Sequence, residues 1–140
     1  MDTSIGRASE HPAARNRILR IYKNSARLRG LEWDLPDEIF FGMLDQPCVY
    51  CGDALRNLQV MRCRGYTHAS RYNGVDRKDS AAGYTEDNCV PCCGECNKAK
   101  HNTPYLQWMA WLARIVRHQT PRVKLMQLRN KTFEKKLLDI

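Results

Sequence analysis

Four cysteines of this chain fall into two C-x-x-C pairs, Cys48 with Cys51 and Cys93 with Cys96, with 41 residues between the pairs. A C-x-x-C turn presents two thiolates to one ion without strain, and two such turns complete the tetrahedral sulfur shell of a zinc site. Gly52 follows the first pair, where a knuckle needs a left-handed or crowded backbone. A third pair, Cys89 with Cys92, overlaps the second, and Cys63 stands alone. Spacing leaves the choice of the second pair open, although Pro91 stiffens the competing turn. Four thiolates leave no position for water or substrate, so the expected Zn2+ is structural and any chemistry lies beside it.

From Cys48 to about Lys100 the chain resembles the HNH nuclease family, in its version with two C-x-x-C zinc pairs. The resemblance rests on CVYCG, then VDR, then GYTEDN, then CCGECNKAK. It implies a ββα-metal fold stapled by zinc, and it favours Cys93 and Cys96 over the overlapping pair. It implies that Asp76 is the carboxylate ligand of a catalytic divalent ion, that Asn88 is the middle asparagine of the motif, and that Asn97 faces the ion from the helix. A hard cation such as Mg2+ takes carboxylate, amide and water oxygens. His101 stands four residues after Asn97, the helical spacing that puts two side chains on one face, and takes the last histidine position. With an imidazole in the set, a softer ion such as Mn2+ or nickel is equally acceptable.

One departure from that pattern bears on the chemistry. The histidine that acts in the family as general base, next to the aspartate, is Arg77 here, and arginine stays protonated at working pH. Another base is then recruited, or the cation alone activates the nucleophile, or catalysis has been lost. His68 is the nearest free imidazole in sequence, and Arg77 itself suits a scissile phosphate or the charge that develops on it. Lys98 and Lys100, read as the start of a helix, are expected on phosphate oxygens.

The elements that must carry these residues read as follows. Residues 1–11 are polar and aperiodic, a flexible leader. Residues 12–47 hold a basic helix and a short helix. The first runs from Pro12 to a stop at Gly30 with Ala14, Ile18, Ile21, Tyr22, Ser25 and Leu28 as its apolar face, and the second opens at Pro36-Asp37-Glu38. LEWDL between them alternates like a short strand. In the core, 48–103, residues 51–73 have no clear period, whereas Asn73-Gly74 begins two short strands joined by a loop around Ala82-Gly83, and a helix starts near Gly94. Residues 104–119 form a packing helix on the stripe Tyr105, Trp108, Met109, Leu112, Ile115 and Val116, broken at Thr120-Pro121. Residues 120–140 are a basic extension.

The net charge of +8 hints at an acidic partner. It is carried by residues 104–140, with eight basic against two acidic side chains, and by an acid-free run from Arg15 to Arg29 that includes Arg17 and Arg20. Arg15, Arg17 and Arg20 are therefore expected on nucleic acid. No apolar run approaches bilayer length, and the first residues lack a secretory stretch, so a reducing, cytoplasmic setting is expected, which disfavours disulfides. The resemblance suggests a bacterium or an infected cell. The expected class is α+β, a small zinc-stapled ββα-metal core flanked by amphipathic helices. The expected function is a divalent-metal-dependent HNH-like endonuclease acting on phosphodiester bonds in DNA, with RNA left open. The rival is a noncatalytic zinc-stabilised nucleic-acid-binding module with a degenerate site.

Overall fold

Pro12 at the first helical position starts α1 (Pro12–Leu28), whose buried face is Ala14, Ile18, Leu19 and Ala26. That face is rotated from the one the sequence suggested: Ile21 and Leu28 are 52% and 77% exposed. The computed structural model describes residues 5–8, 10–63 and 66–138, apart from the side chains of 62–66 and 125–138. The side chain of Cys63, the cysteine that stands alone in the sequence, lies outside them. The chain divides into two units, Met1–Thr103 and Pro104–Ile140.

In the first unit a short strand β1 (Gly6–Arg7) precedes α1, and α2 (Asp37–Leu44) follows it. Within residues 1–11, read above as a leader, β1 pairs in parallel with β3 (Tyr66–Tyr72), Gly6 opposite Ser70, and Ala8 is fully buried. The stretch without clear period contains a hairpin, β2 (Asn57–Cys63) antiparallel to β3 from Asn57 opposite Tyr72 to Cys63 opposite Tyr66. Its apolar alternation was hard to read because Leu58 and Val60 lie on the exposed face, at 49% and 40%. LEWDL forms only a bridge, Trp33 to Tyr84, with the two rings stacked at 4.7 Å.

The two strands expected after Asn73 are present as β4 (Gly74–Arg77) and β5 (Cys89–Cys92), antiparallel with Asp76 opposite Val90, and α3 (Gly94–Lys100) follows directly. This is a ββα unit. It is packed against α1 and α2 through Ile18, Phe40, Leu44, Val75, Tyr84 and Cys89, all in one buried cluster. Tyr22 of α1 contacts Phe40 and Tyr84 edge to face, and its hydroxyl accepts a hydrogen bond from Val75 N at 3.0 Å. Gly74 is required there: a Cβ would collide with the Tyr22 hydroxyl and crowd Cys92 O.

The second unit carries one helix, α4 (Tyr105–Leu138), which runs through Pro121 instead of ending there. Proline removes one backbone donor and strains the preceding turn, at a cost of about 3 kcal/mol. Residues 117–124 are exposed, so water reaches the orphaned carbonyl, and Thr120 Oγ1 adds a bond to Val116 O at 2.6 Å. No helix among the described residues is long and apolar enough to cross a membrane.

Candidate metal centre and active site

Two backbone turns bring four sulfurs together. In the first, Gly52 N donates to Cys48 O at 2.8 Å and Gly52 takes φ +73°, a left-handed conformation that a side chain would strain. In the second, Cys93 caps α3, its Sγ accepting from Cys96 N at 3.4 Å. The turns are tied to the sheet: Val49 N donates to Pro91 O at 3.0 Å, and Gly94 N to Asn57 Oδ1 at 3.1 Å. Fully buried Asn73, expected only as a turn residue, donates to Gln46 O at 2.9 Å and so pins the first knuckle to β4.

The ligand atoms of Cys48, Cys51, Cys93 and Cys96 all lie within 4.8 Å of one another, and Cys51 Sγ is 3.9 Å from Cys93 Sγ. Tetrahedral zinc–sulfur bonds of about 2.3 Å put sulfurs about 3.8 Å apart, so the donor set fits Zn2+. Cys89 and Cys92 are buried outside the cluster. Burial opposes a thiolate at Cys48, but backbone N–H groups of Cys93, Cys51 and Tyr50 outweigh it and bring the thiol down to about 7. Cys96 is pushed well up, by burial and then by the sulfurs of Cys93 and Cys51. Four thiolates this close repel one another unless a cation sits among them.

Beside the cluster, a cavity of about 530 Å³ is lined by Asp76 and Arg77 from β4, Asn97 and Lys98 from α3, and His101 just beyond it, facing Ile21, Tyr22 and Arg29 of α1 and its end. Asp76 is 6% exposed. Its Oδ2 accepts a hydrogen bond from Tyr50 Oη at 2.7 Å and forms an ion pair with Lys100 Nζ at 3.1 Å. His101 ends α3 with a positive φ, +50° with ψ −124°, uncommon for a residue with a side chain, while its N–H still bonds Asn97 O at 3.0 Å.

Several expected site residues have other employment. Lys100 lies in the last turn of α3, not at its start, is fully buried, and donates to Arg77 O at 2.8 Å while pairing ionically with Asp76. It is closed to nucleic acid. Lys98 is exposed. Arg77 is 8% exposed; its Nη1 donates to Ser80 O at 2.7 Å and Ala82 O at 2.5 Å, and its guanidinium lies over Tyr84. Asn88 holds the same loop from the turn just before β5, with Nδ2 on Gly83 O at 2.8 Å and Asp79 O at 3.1 Å and Oδ1 accepting from Asp79 N at 2.9 Å. Both shape the loop. His68 sits on β3, bonded to Ser70 Oγ at 2.8 Å and stacked on His11, and does not line the cavity. Arg15 packs its guanidinium over Phe41, leaving Arg17 and Arg20 as the exposed cations of that group. Sequence reasoning missed Tyr50, hidden between two cysteines, and Arg29, whose Nη2 donates to Tyr84 Oη at 3.0 Å. Tyr50 was marked only by its place inside CVYCG, and Arg29 only by the acid-free basic run that it closes.

No family model matches the chain. A curated relative, uncharacterized protein R423 of Acanthamoeba polyphaga mimivirus, is 34% identical over 79 residues, which are 56% of this chain. The chain spans only 13% of the length of that protein. Among solved structures, the chain is similar to the rare-cutting HNH restriction endonuclease PacI, with a TM-score of 0.54 and 22% identity over 77% of this chain and 80% of that one. At that identity the likeness concerns the fold alone. The chain is thus a mixed α+β protein with the architecture of an HNH endonuclease and a four-cysteine cluster suited to a metal ion.

Proposed function

We propose that this chain is a divalent-cation-dependent endonuclease that hydrolyses phosphodiester bonds in DNA. The observation that carries the reading is the convergence of Asp76, Asn97, Lys98 and His101 on one cavity of the ββα unit. A carboxylate, an amide and an imidazole are a donor set that suits Mg2+ or Mn2+, and Asp76, Asn97 and His101 would hold the ion. Once bound, such an ion supplies Lewis-acid stabilisation of phosphate charge and an acidified water. The protein's own part is positional. Tyr50 and Lys100 hold Oδ2 of Asp76, so Oδ1 is the oxygen that would take a cation. Lys98 and Arg29 supply positive charge to the phosphate, while Ile21 and Tyr22 form the wall opposite. Of the two histidines proposed, His101 is the imidazole within reach of that chemistry. Zn2+ on Cys48, Cys51, Cys93 and Cys96 would contribute folding energy.

Supercoiled plasmid incubated with Mg2+, Mn2+ or nickel should be nicked or linearised, and EDTA or Asp76→Ala should stop it. A specific observation favours the rival, a noncatalytic DNA-binding module: the buried Lys100 ammonium already neutralises Asp76. DNA bound and never cut under any of these ions would make that rival the function.

A further inference from the structure

Both arms of the sulfur cluster reach the same carboxylate oxygen. Tyr50 lies inside the first knuckle, between Cys48 and Cys51, half-buried against Cys48, Cys92 and Cys93. Its hydroxyl donates to Asp76 Oδ2 at 2.7 Å. Lys100 lies at the far end of α3, the helix whose first turn is formed by Cys93 and Cys96, and its ammonium approaches the same Oδ2 at 3.1 Å. A carboxylate on a four-residue strand has two rotatable bonds, and only contacts beyond its own strand can fix them. Here those contacts come from the two elements that the sulfurs hold together.

We propose that Tyr50 is a positioning residue for Asp76, orienting the carboxylate in the cavity from its seat inside the first knuckle of the sulfur cluster. The inference rests on the nuclease reading for its consequence but not for its geometry. Hydrogen-bond partners that orient a metal-binding carboxylate typically contribute 10- to 100-fold to affinity or rate. The ring of Tyr50 packs on the knuckle and its hydroxyl donates to Asp76, so Tyr50→Phe removes the hydrogen bond and keeps the ring.

The test uses the full chain with its zinc, as wild type, Tyr50→Phe, Asp76→Ala and the double variant. Zinc per chain should be the same in all four. Tyr50→Phe should lower the melting temperature by roughly 3 °C in the wild-type background and by clearly less with Asp76→Ala, because the bond to Asp76 is then already gone. Mn2+ binding, followed by the loss of its free-ion EPR signal, should weaken roughly tenfold in Tyr50→Phe, and plasmid cleavage should fall in step. Equal melting shifts in both backgrounds, or Mn2+ binding and cleavage unchanged in Tyr50→Phe, would overturn the proposal. A wild-type protein that neither binds Mn2+ nor cuts defeats the nuclease reading instead, and the melting cycle then decides by itself whether Tyr50 holds Asp76.

Discussion

A lysine with no exposed surface is stable only when its charge is matched, and Lys100 finds that match in Asp76 and the carbonyl of Arg77. Removing one partner of such a pair leaves the other charged and dry, which costs about 3–5 kcal/mol. Lys100→Ala is therefore expected to destabilise the first unit by that order in a denaturant titration, more than Lys98→Ala, whose side chain is solvated. Both lysines read alike in sequence, so equal losses would show that burial does not distinguish them. Cys89 gives a second residue-level expectation. Burial raises its thiol from 9.0 to about 11. A thiol raised on folding favours the folded state while it is neutral; that contribution is whole below about pH 9 and is lost as pH rises toward 11. Stability should decline over that alkaline window, and Cys89→Ala should flatten the decline; an unchanged profile would remove burial of this thiol as the cause.

At the scale of elements, the β4–β5 connection is organised by two side chains that the motif suggested for catalysis. Arg77 and Asn88 together spend their donors on the carbonyls of Asp79, Ser80, Ala82 and Gly83. Asn88→Ala should therefore loosen the loop, seen as faster amide exchange over residues 78–88, at a cost of about 1–3 kcal/mol from the unpaired groups. A loop as protected as in the parent, with activity gone, would return Asn88 to the chemistry. The close approach of α1 and β4 adds a further constraint. A methyl at Gly74 meets the Tyr22 hydroxyl, itself bonded to Val75, so Gly74→Ala should cost about 1–3 kcal/mol, and Tyr22→Phe should relieve part of it.

For the molecule as a whole, the sulfur cluster joins the knuckle before β2 to the helix after β5, and a first unit of this size has a small core. Cys93→Ser is expected to release zinc and unfold that unit, whereas Cys89→Ser should keep the metal; metal analysis with circular dichroism decides, and the opposite result would reverse the ligand assignment. The proposed DNA binding is expected to be largely electrostatic. The acid-free run to Arg29 and the eight basic residues of 104–140 are the motivation, and affinity should fall steeply with salt. A dissociation constant unmoved between low and physiological salt would contradict it.

The sequence by itself determined the features that depend on local spacing. Two C-x-x-C turns announce a sulfur site because backbone geometry over four residues brings each pair together, and Pro12, Gly30 and Gly94 punctuate helices through their own backbone preferences. The order of VDR, GYTEDN and CCGECNKAK was enough to expect two strands and a helix. What only the tertiary structure decided is how each functional group is spent. Lys98 and Lys100 differ because one faces solvent and the other a carboxylate 24 residues earlier in the chain. His68 is excluded from the cavity by its place on a separate sheet. The β2–β3 hairpin carries a weak pattern because Leu58 and Val60 face outward while, among the described residues, only Met61 and Tyr72 pack on the core, and α4 runs through Pro121 because exposure lets water satisfy the freed carbonyl. Tyr50 reaches Asp76 across 26 residues of sequence. Contacts of that kind arise from packing, on which composition, period and spacing carry no information.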